Sequence, residues 1–190
     1  MLKGRMCRIA VSILAVHMTV LLASSVAFGE APAPASPMPG KVDAQRPAGP
    51  GWQCEDRRVE EGTPVQMTKC RRDSGGEFLI MMAKEYVVGS AEVVPAKALL
   101  LEEYQAQYRR MFDDVRYVSD RVVKRGKLVG HEAVIDARHS KRGAIHKVER
   151  VFVVGRRVFN VSAEGNPDDF KTHRQVINRW LESARFENLP

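Results

Sequence analysis

The side chains that could do chemistry in this chain are three cysteines, five histidines and lysine-arginine clusters near glycines. Cys54 and Cys70 flank a short polar stretch, Glu60-Glu-Gly-Thr63, between two strand-like runs. A hairpin turning about Gly62 places residues 54 and 70 directly opposite each other. Cross-strand Cβ atoms lie ~4.5–5.5 Å apart, close to what a disulfide requires. There is no C-x-x-C spacing and no nearby histidine to favour a redox pair or a metal site. A structural disulfide between Cys54 and Cys70 is expected.

His139 and His146 are the histidines closest to forming a site. With residues 140–143 as a turn, His139 faces Ala144 and His146 faces Ala137, so the imidazoles are diagonal neighbours on one face, ~7–8 Å apart. Zinc needs three or four ligands at roughly 2 Å. The nearest carboxylate, Asp136, falls on the opposite face by strand parity. The pair reads as solvated strand histidines, and neither a metal nor a cofactor is expected. His131-Glu132 does not begin an H-E-x-x-H motif, because Ile135 stands where the second histidine belongs. Ser140 and His139 are adjacent strand residues facing opposite ways, and no G-x-S-x-G occurs. His173 falls on the apolar stripe of a terminal helix and reads as a hydrogen-bonded core or boundary residue. Gly75-Gly76 reads as a turn, not a phosphate loop. No catalytic residue is assigned and the chain reads as a non-enzyme. The alternative is a cell-envelope hydrolase whose site is assembled from scattered residues around the His139/His146 face.

The basic residues make the sharper hypothesis. In an up-and-down meander alternate hairpin tips share one end of the sheet. The tips at Gly126 and Gly155 would then bring Lys124, Arg125, Lys127, Arg156 and Arg157 to one rim, with Lys141 and Arg142 at the other end. Such a rim could hold an envelope protein or an anionic envelope component. It would equally serve solubility and block edge pairing.

The chain's beginning sets the compartment. Lys3, Arg5 and Arg8 precede a run from residue 9 to 23 that is apolar apart from Ser12, His17 and Thr19, and small residues follow. This is the pattern of a secretory signal, residues 1–29, cut after Ala27 or Gly29. The expected location is periplasmic or secreted. The alternative is an uncleaved N-terminal anchor, since residues 9–28 approach the ~20 apolar residues of a bilayer span. Cys7 precedes the apolar run and leaves with the signal, so an odd cysteine count becomes one pair in an oxidising compartment. Three of the positive charges leave too, lowering +7 to about +4, which is far from a nucleic-acid footprint. No nucleic-acid partner and no membrane span after cleavage are expected.

Residues 30–51 hold six of the ten prolines and almost no large apolar side chain. They read as a disordered Pro/Ala-rich spacer, leaving residues 52–190 as a single domain. After the hairpin, residues 77–88 read as a strand apolar on both faces. Pro95 opens a helix to about residue 112, with Leu100, Tyr104, Tyr108, Met111 and Val115 as its core stripe. Strands at 115–124, 128–139, 144–154 and 157–163 are joined by short glycine-bearing turns and form an antiparallel meander. Asn166, Pro167, Asp168 and Asp169 open a last helix with Phe170, His173, Ile177, Trp180, Leu181 and Ala184 along one face.

Three stretches carry a family resemblance: Gly130-His-Glu-Ala-Val-Ile-Asp-Ala, Val151-Phe-Val-Val-Gly-Arg-Arg-Val-Phe-Asn-Val-Ser162, and Phe170…Ile177…Trp180-Leu-Glu-Ser-Ala-Arg-Phe186. Over residues 75–187 the chain resembles the α/β/α sandwich of PsbP and DcrB proteins and related exported lipoproteins. The 52–70 hairpin lies outside the resemblance, and the lipidation cysteine common in bacterial members is missing. The resemblance implies a non-enzymatic accessory or binding protein, with no family catalytic residues to carry over. The fold class expected is α+β: an antiparallel meander with two main helices packed as an α/β/α sandwich, plus an N-terminal disulfide hairpin.

Overall fold

Two antiparallel meanders meet edge to edge in one sheet, joined by a helical crossover. The computed structural model describes residues 39–60, 63–73, 75–88 and 94–187. The signal segment and the first part of the proline-rich spacer lie outside the described residues. The strands are β1 (Val42–Asp43), β2 (Trp52–Val59), β3 (Val65–Arg72), β4 (Leu79–Val87), β5 (Asp113–Arg125), β6 (Leu128–His139), β7 (Gly143–Val154), β8 (Arg157–Gly165) and β9 (Arg185–Phe186). The helices are α1 (Ala96–Ala98), which continues through a π-helical turn (Leu99–Glu103) into α2 (Tyr104–Met111), then α3 (Pro167–Thr172) and α4 (Arg174–Ser183). Among the described residues the main sheet has the order β2-β3-β4-β8-β7-β6-β5. After β4 the chain crosses one face to the far edge, then meanders back until β8 pairs with β4.

Each face has its own apolar core. On one, Leu79, Met81, Phe152, Phe159 and Val161 meet Ile177, Trp180 and Leu181 of α4. On the other, Ala133, Ile135, Val151 and Val158 meet Leu99, Leu100, Tyr104 and Tyr108. The result is the expected α/β/α sandwich, with the β2–β3 hairpin continuing the sheet. Cys54 pairs with Cys70 in the ladder and the two are disulfide-bonded, Cα atoms 4.1 Å apart.

Several expectations are corrected. Ordered chain begins before Trp52: β1 pairs with β9, Val42 and Ala44 are buried, and the Thr68 hydroxyl donates to the Val42 carbonyl at 3.1 Å. In the crossover helix, Leu100, Tyr104 and Tyr108 are buried, but Met111 is 55% exposed and Val115 belongs to β5. The helix stops because Phe112 is extended and Asp114 takes a positive φ of 51°. In the last helix Asn166 caps as expected, its side chain accepting from the Asp168 amide at 3.0 Å. The helix then breaks at His173, where Nε2 lies 3.3 Å from Glu77 Oε1 and the ring meets Trp52 edge-on.

Gly130 has a packing reason. A Cβ there would fall 2.4 Å from both the Phe152 ring and the Val151 carbonyl oxygen. Backbone cannot yield as a side chain can, so Gly130→Ala is expected to destabilise by about 1–3 kcal/mol. In thermal denaturation each kcal/mol appears as about 2–4 °C in Tm at this size. An unchanged Tm would mean that β6 and β7 are not this closely apposed.

Candidate functional site

A one-residue difference in a turn rearranges the histidines. His139 pairs with Gly143, so the β6–β7 turn is residues 140–142, with Gly143 at a φ of 73°. The expected four-residue turn shifts by one, and a one-residue slip sends a whole strand's side chains to the other face. His146 therefore sits opposite Asp136, its Nδ1 2.7 Å from Asp136 Oδ1, with Phe170 edge-on at 4.7 Å. His139 is on the other face, beside Phe112. The two do not share a site, and no group of three metal-ligating side chains occurs among the described residues.

His139 instead borders a cavity of about 380 Å³ on the crossover-helix side of the sheet. The end of α2 supplies Met111 and Phe112, the start of β4 supplies Ile80 with Phe78 before it, and β7 supplies Ile145. Three polar side chains reach this apolar lining: His139, Arg142 and Glu164. The Arg142 guanidinium lies over the Phe78 ring, 4.0 Å from its centroid. His139 Nδ1 accepts the Lys141 backbone N–H at 3.1 Å, which leaves the ring proton on Nε2. Glu164 receives Lys147 Nζ at 3.1 Å.

That lysine opens a polar network beneath the cavity. Lys147 is buried, 3.9 Å from Glu149 and over the Tyr108 ring at 4.5 Å. Glu149 accepts from the Tyr108 hydroxyl and from Asn160 Nδ2 at 2.6 Å. The Tyr86 and Tyr104 hydroxyls bond each other, and Lys84 lies over both rings at 5.6 and 5.7 Å. Burial lowers the Lys84 pKa and drives the Tyr104 and Tyr108 hydroxyls far up, with Tyr86 at about 12. The tyrosines thus stay protonated as donors. The tyrosine stripe is core, as its spacing predicts, and charges that the spacing does not predict lie beneath it. One signal was available: alternate β7 positions read Ile145, Lys147, Glu149, Val151, charges bracketed by apolar residues on a helix-covered face.

The structure gathers the proposed basic rim at one end of the sheet, since the β5–β6 and β7–β8 turns lie together. It also engages three of the five charges internally. Arg125 donates to the Ala184 carbonyl and to that of Leu181 at 2.5 Å, closing the C-terminal end of α4. Arg156 donates to the Val88 carbonyl at 2.9 Å, and Arg157 to buried Glu85 at 2.6 Å. Lys124 and Lys127 are exposed. On the same face, burial works against the Glu132 carboxylate, yet Arg121 and Arg150, each at 2.6 Å, hold its pKa below the usual range.

No helix of the described residues is long and apolar enough to cross a membrane. No protein-family model matches the sequence, and no curated protein matches it. Among solved structures the chain is similar to cyanobacterial PsbP (CyanoP) from Synechocystis sp. PCC 6803, at 10% identity and a TM-score of 0.49 over 73% of this chain and 84% of that one. It is also similar to PA94 from Pseudomonas aeruginosa, a protein of unknown function, at 9% identity and a TM-score of 0.48 over 72% of this chain and 96% of that one.

Proposed function

We propose that this chain is an exported, non-enzymatic binding or accessory protein of the bacterial cell envelope, and that it holds a small ligand in the cavity at the β6–β7 tip. The observation that carries the reading is the character of that cavity. Five apolar side chains form its walls, and its three polar groups each already hold a structural contact within the protein. Apolar walls with a few convergent polar groups are the ordinary make-up of a ligand site. Covalent catalysis by a hydroxyl or thiol needs such a group within reach of a base, and the described residues of the lining include no serine, threonine or cysteine. The secretory signal and the Cys54–Cys70 bridge support an oxidising, extracytoplasmic setting.

Native mass spectrometry tests this on the chain purified after export and exposed to a small-molecule extract of the envelope. An adduct is expected on the natural protein and should be lost in Ile145→Trp, which fills the cavity, provided circular dichroism is unchanged. An adduct of equal occupancy in the filled variant, or conversion of an extract component, would overturn the proposal.

A further inference from the structure

We infer that the cavity at the β6–β7 tip selects compact amphipathic carboxylates, with one ring or a short chain on the apolar walls and the carboxylate between Arg142 and His139. The inference rests on reading this cavity as a ligand site and names the class of ligand.

The argument turns on which hydrogen-bonding valences are still open. Glu164, the one acidic side chain among the described residues of the lining, is already matched by Lys147 Nζ at 3.1 Å. That buried ammonium already compensates the Glu164 charge through Oε2, so a cationic ligand reaching Oε1 would meet a carboxylate that is already paired. His139 uses Nδ1 to accept from the Lys141 amide, so its remaining valence is the Nε2 proton, a donor. Arg142 stacks on Phe78 and forms an exposed ion pair with Asp73 Oδ2 at 3.8 Å, too long for a hydrogen bond. Stacking occupies the face of a guanidinium and leaves its edge donors free, in the fork geometry that grips a carboxylate bidentately. Two open valences are thus donors, one with a fixed positive charge, and the remaining acceptor, Glu164 Oε1, belongs to a carboxylate already paired with a lysine.

The walls set the other half of the ligand. Ile80, Ile145 and Phe112 offer no hydrogen bond, and Met111 stands at the opening with 55% of its surface exposed. An unbranched thioether adapts to the ligand that displaces its water. At about 380 Å³ the space is at the small end of ligand cavities, which run ~300–1,000 Å³. It suits a single ring or a short chain.

The test uses four probes in two matched pairs: benzoate with benzylamine, and hexanoate with hexylamine. Each is titrated into the exported protein carrying ¹³C-methyl methionine, with the Met111 signal identified through Met111→Leu. The two carboxylates should shift the Met111 methyl saturably, and the amines should bind at least about tenfold more weakly. Arg142→Gln should weaken carboxylate binding about tenfold or more, the scale of a lost hydrogen bond to a charged group, with circular dichroism unchanged. Equal saturation by amines and carboxylates would overturn the carboxylate assignment while leaving the cavity a ligand site. Carboxylates that fail to saturate Met111, or that bind Arg142→Gln as they bind the natural protein, would also overturn it. Loss of the native adduct in Ile145→Trp judges the underlying reading separately.

Discussion

Glu149→Ala is expected to lower stability by about 3–5 kcal/mol, the range for removing one partner from a buried charge pair. Glu149 is buried and accepts from the Tyr108 hydroxyl and from Asn160 Nδ2 at 2.6 Å. Its loss leaves both donors without an acceptor and leaves buried Lys147 with Glu164 alone. Asn160 Oδ1 already has no hydrogen-bond partner among the described residues, so the site has no slack to absorb the change.

The pH dependence of that loss identifies its electrostatic part. Burial holds the Lys84 pKa below its ordinary value, and Glu149 opposes that shift. Removing Glu149 should lower the folded-state pKa further. A lysine whose pKa is depressed in the folded state binds fewer protons there than in the unfolded chain, so stability rises with pH. The deficit of Glu149→Ala should therefore be smaller in urea unfolding at pH 9.5 than at pH 7. Glu149→Gln keeps an acceptor and loses the charge, and should fall between. The paired replacement Lys147→Met with Glu149→Leu should recover much of the loss, as apolar substitution of whole buried ion pairs does elsewhere. A deficit below about 1 kcal/mol for Glu149→Ala, or one that widens as pH rises, would show that these charges are solvated.

The second large effect is expected at the disulfide. Reducing Cys54–Cys70, or replacing both residues with alanine, should remove about 3 kcal/mol, the chain-entropy value for closing a loop of roughly 15 residues. The bridge matters because of where β2 sits. It is an edge strand whose outer residues, Asp56 to Val59, are exposed, and it pairs with β3 alone. Cys70 is fully buried against the α4-side core, with Trp52 and Cys54 packed onto it. Alanine at 70 therefore also leaves a void, and the double variant should lose more than the reduced natural protein. Urea unfolding with and without reductant gives the total. Hydrogen exchange should show β2 losing protection first while β6 and β7 keep theirs. Equal midpoints with and without reductant would refute a stabilising role.

Features set by neighbours in the chain could be read directly. The β2–β3 pairing puts Cys54 opposite Cys70 because antiparallel strands joined by a short connection leave little choice of register. The Asn166-Pro167-Asp168 start of α3 is a local cap, and β6 spans residues 128–139 as its flanking glycines imply. The same local reasoning failed where one residue decides a face. His139 and His146 were placed together by a four-residue turn, and the three-residue turn put them on opposite sides of the sheet. The basic rim was legible as a cluster of tips, but not as arginines turned inward to Ala184, Val88 and Glu85.

Beyond His139 and Arg142 the candidate site was not legible, for a physical reason. Its lining comes from residues 78–80, 111–112, 139–145 and 164, segments brought together only because the crossover helix carries β5 to the far edge and the meander returns β8 to β4. Nothing near Met111 in sequence says that Glu164 will lie across from it. The buried network is likewise invisible locally, since Lys147 and Glu149 are ordinary strand residues until a helix covers their face. The sequence by itself therefore determined the Cys54–Cys70 bridge, most strands of the main sheet and the α+β class, all of which follow from short-range pattern. Only tertiary structure decided strand order, the inward charges and the cavity, because these depend on which distant surfaces exclude water from each other.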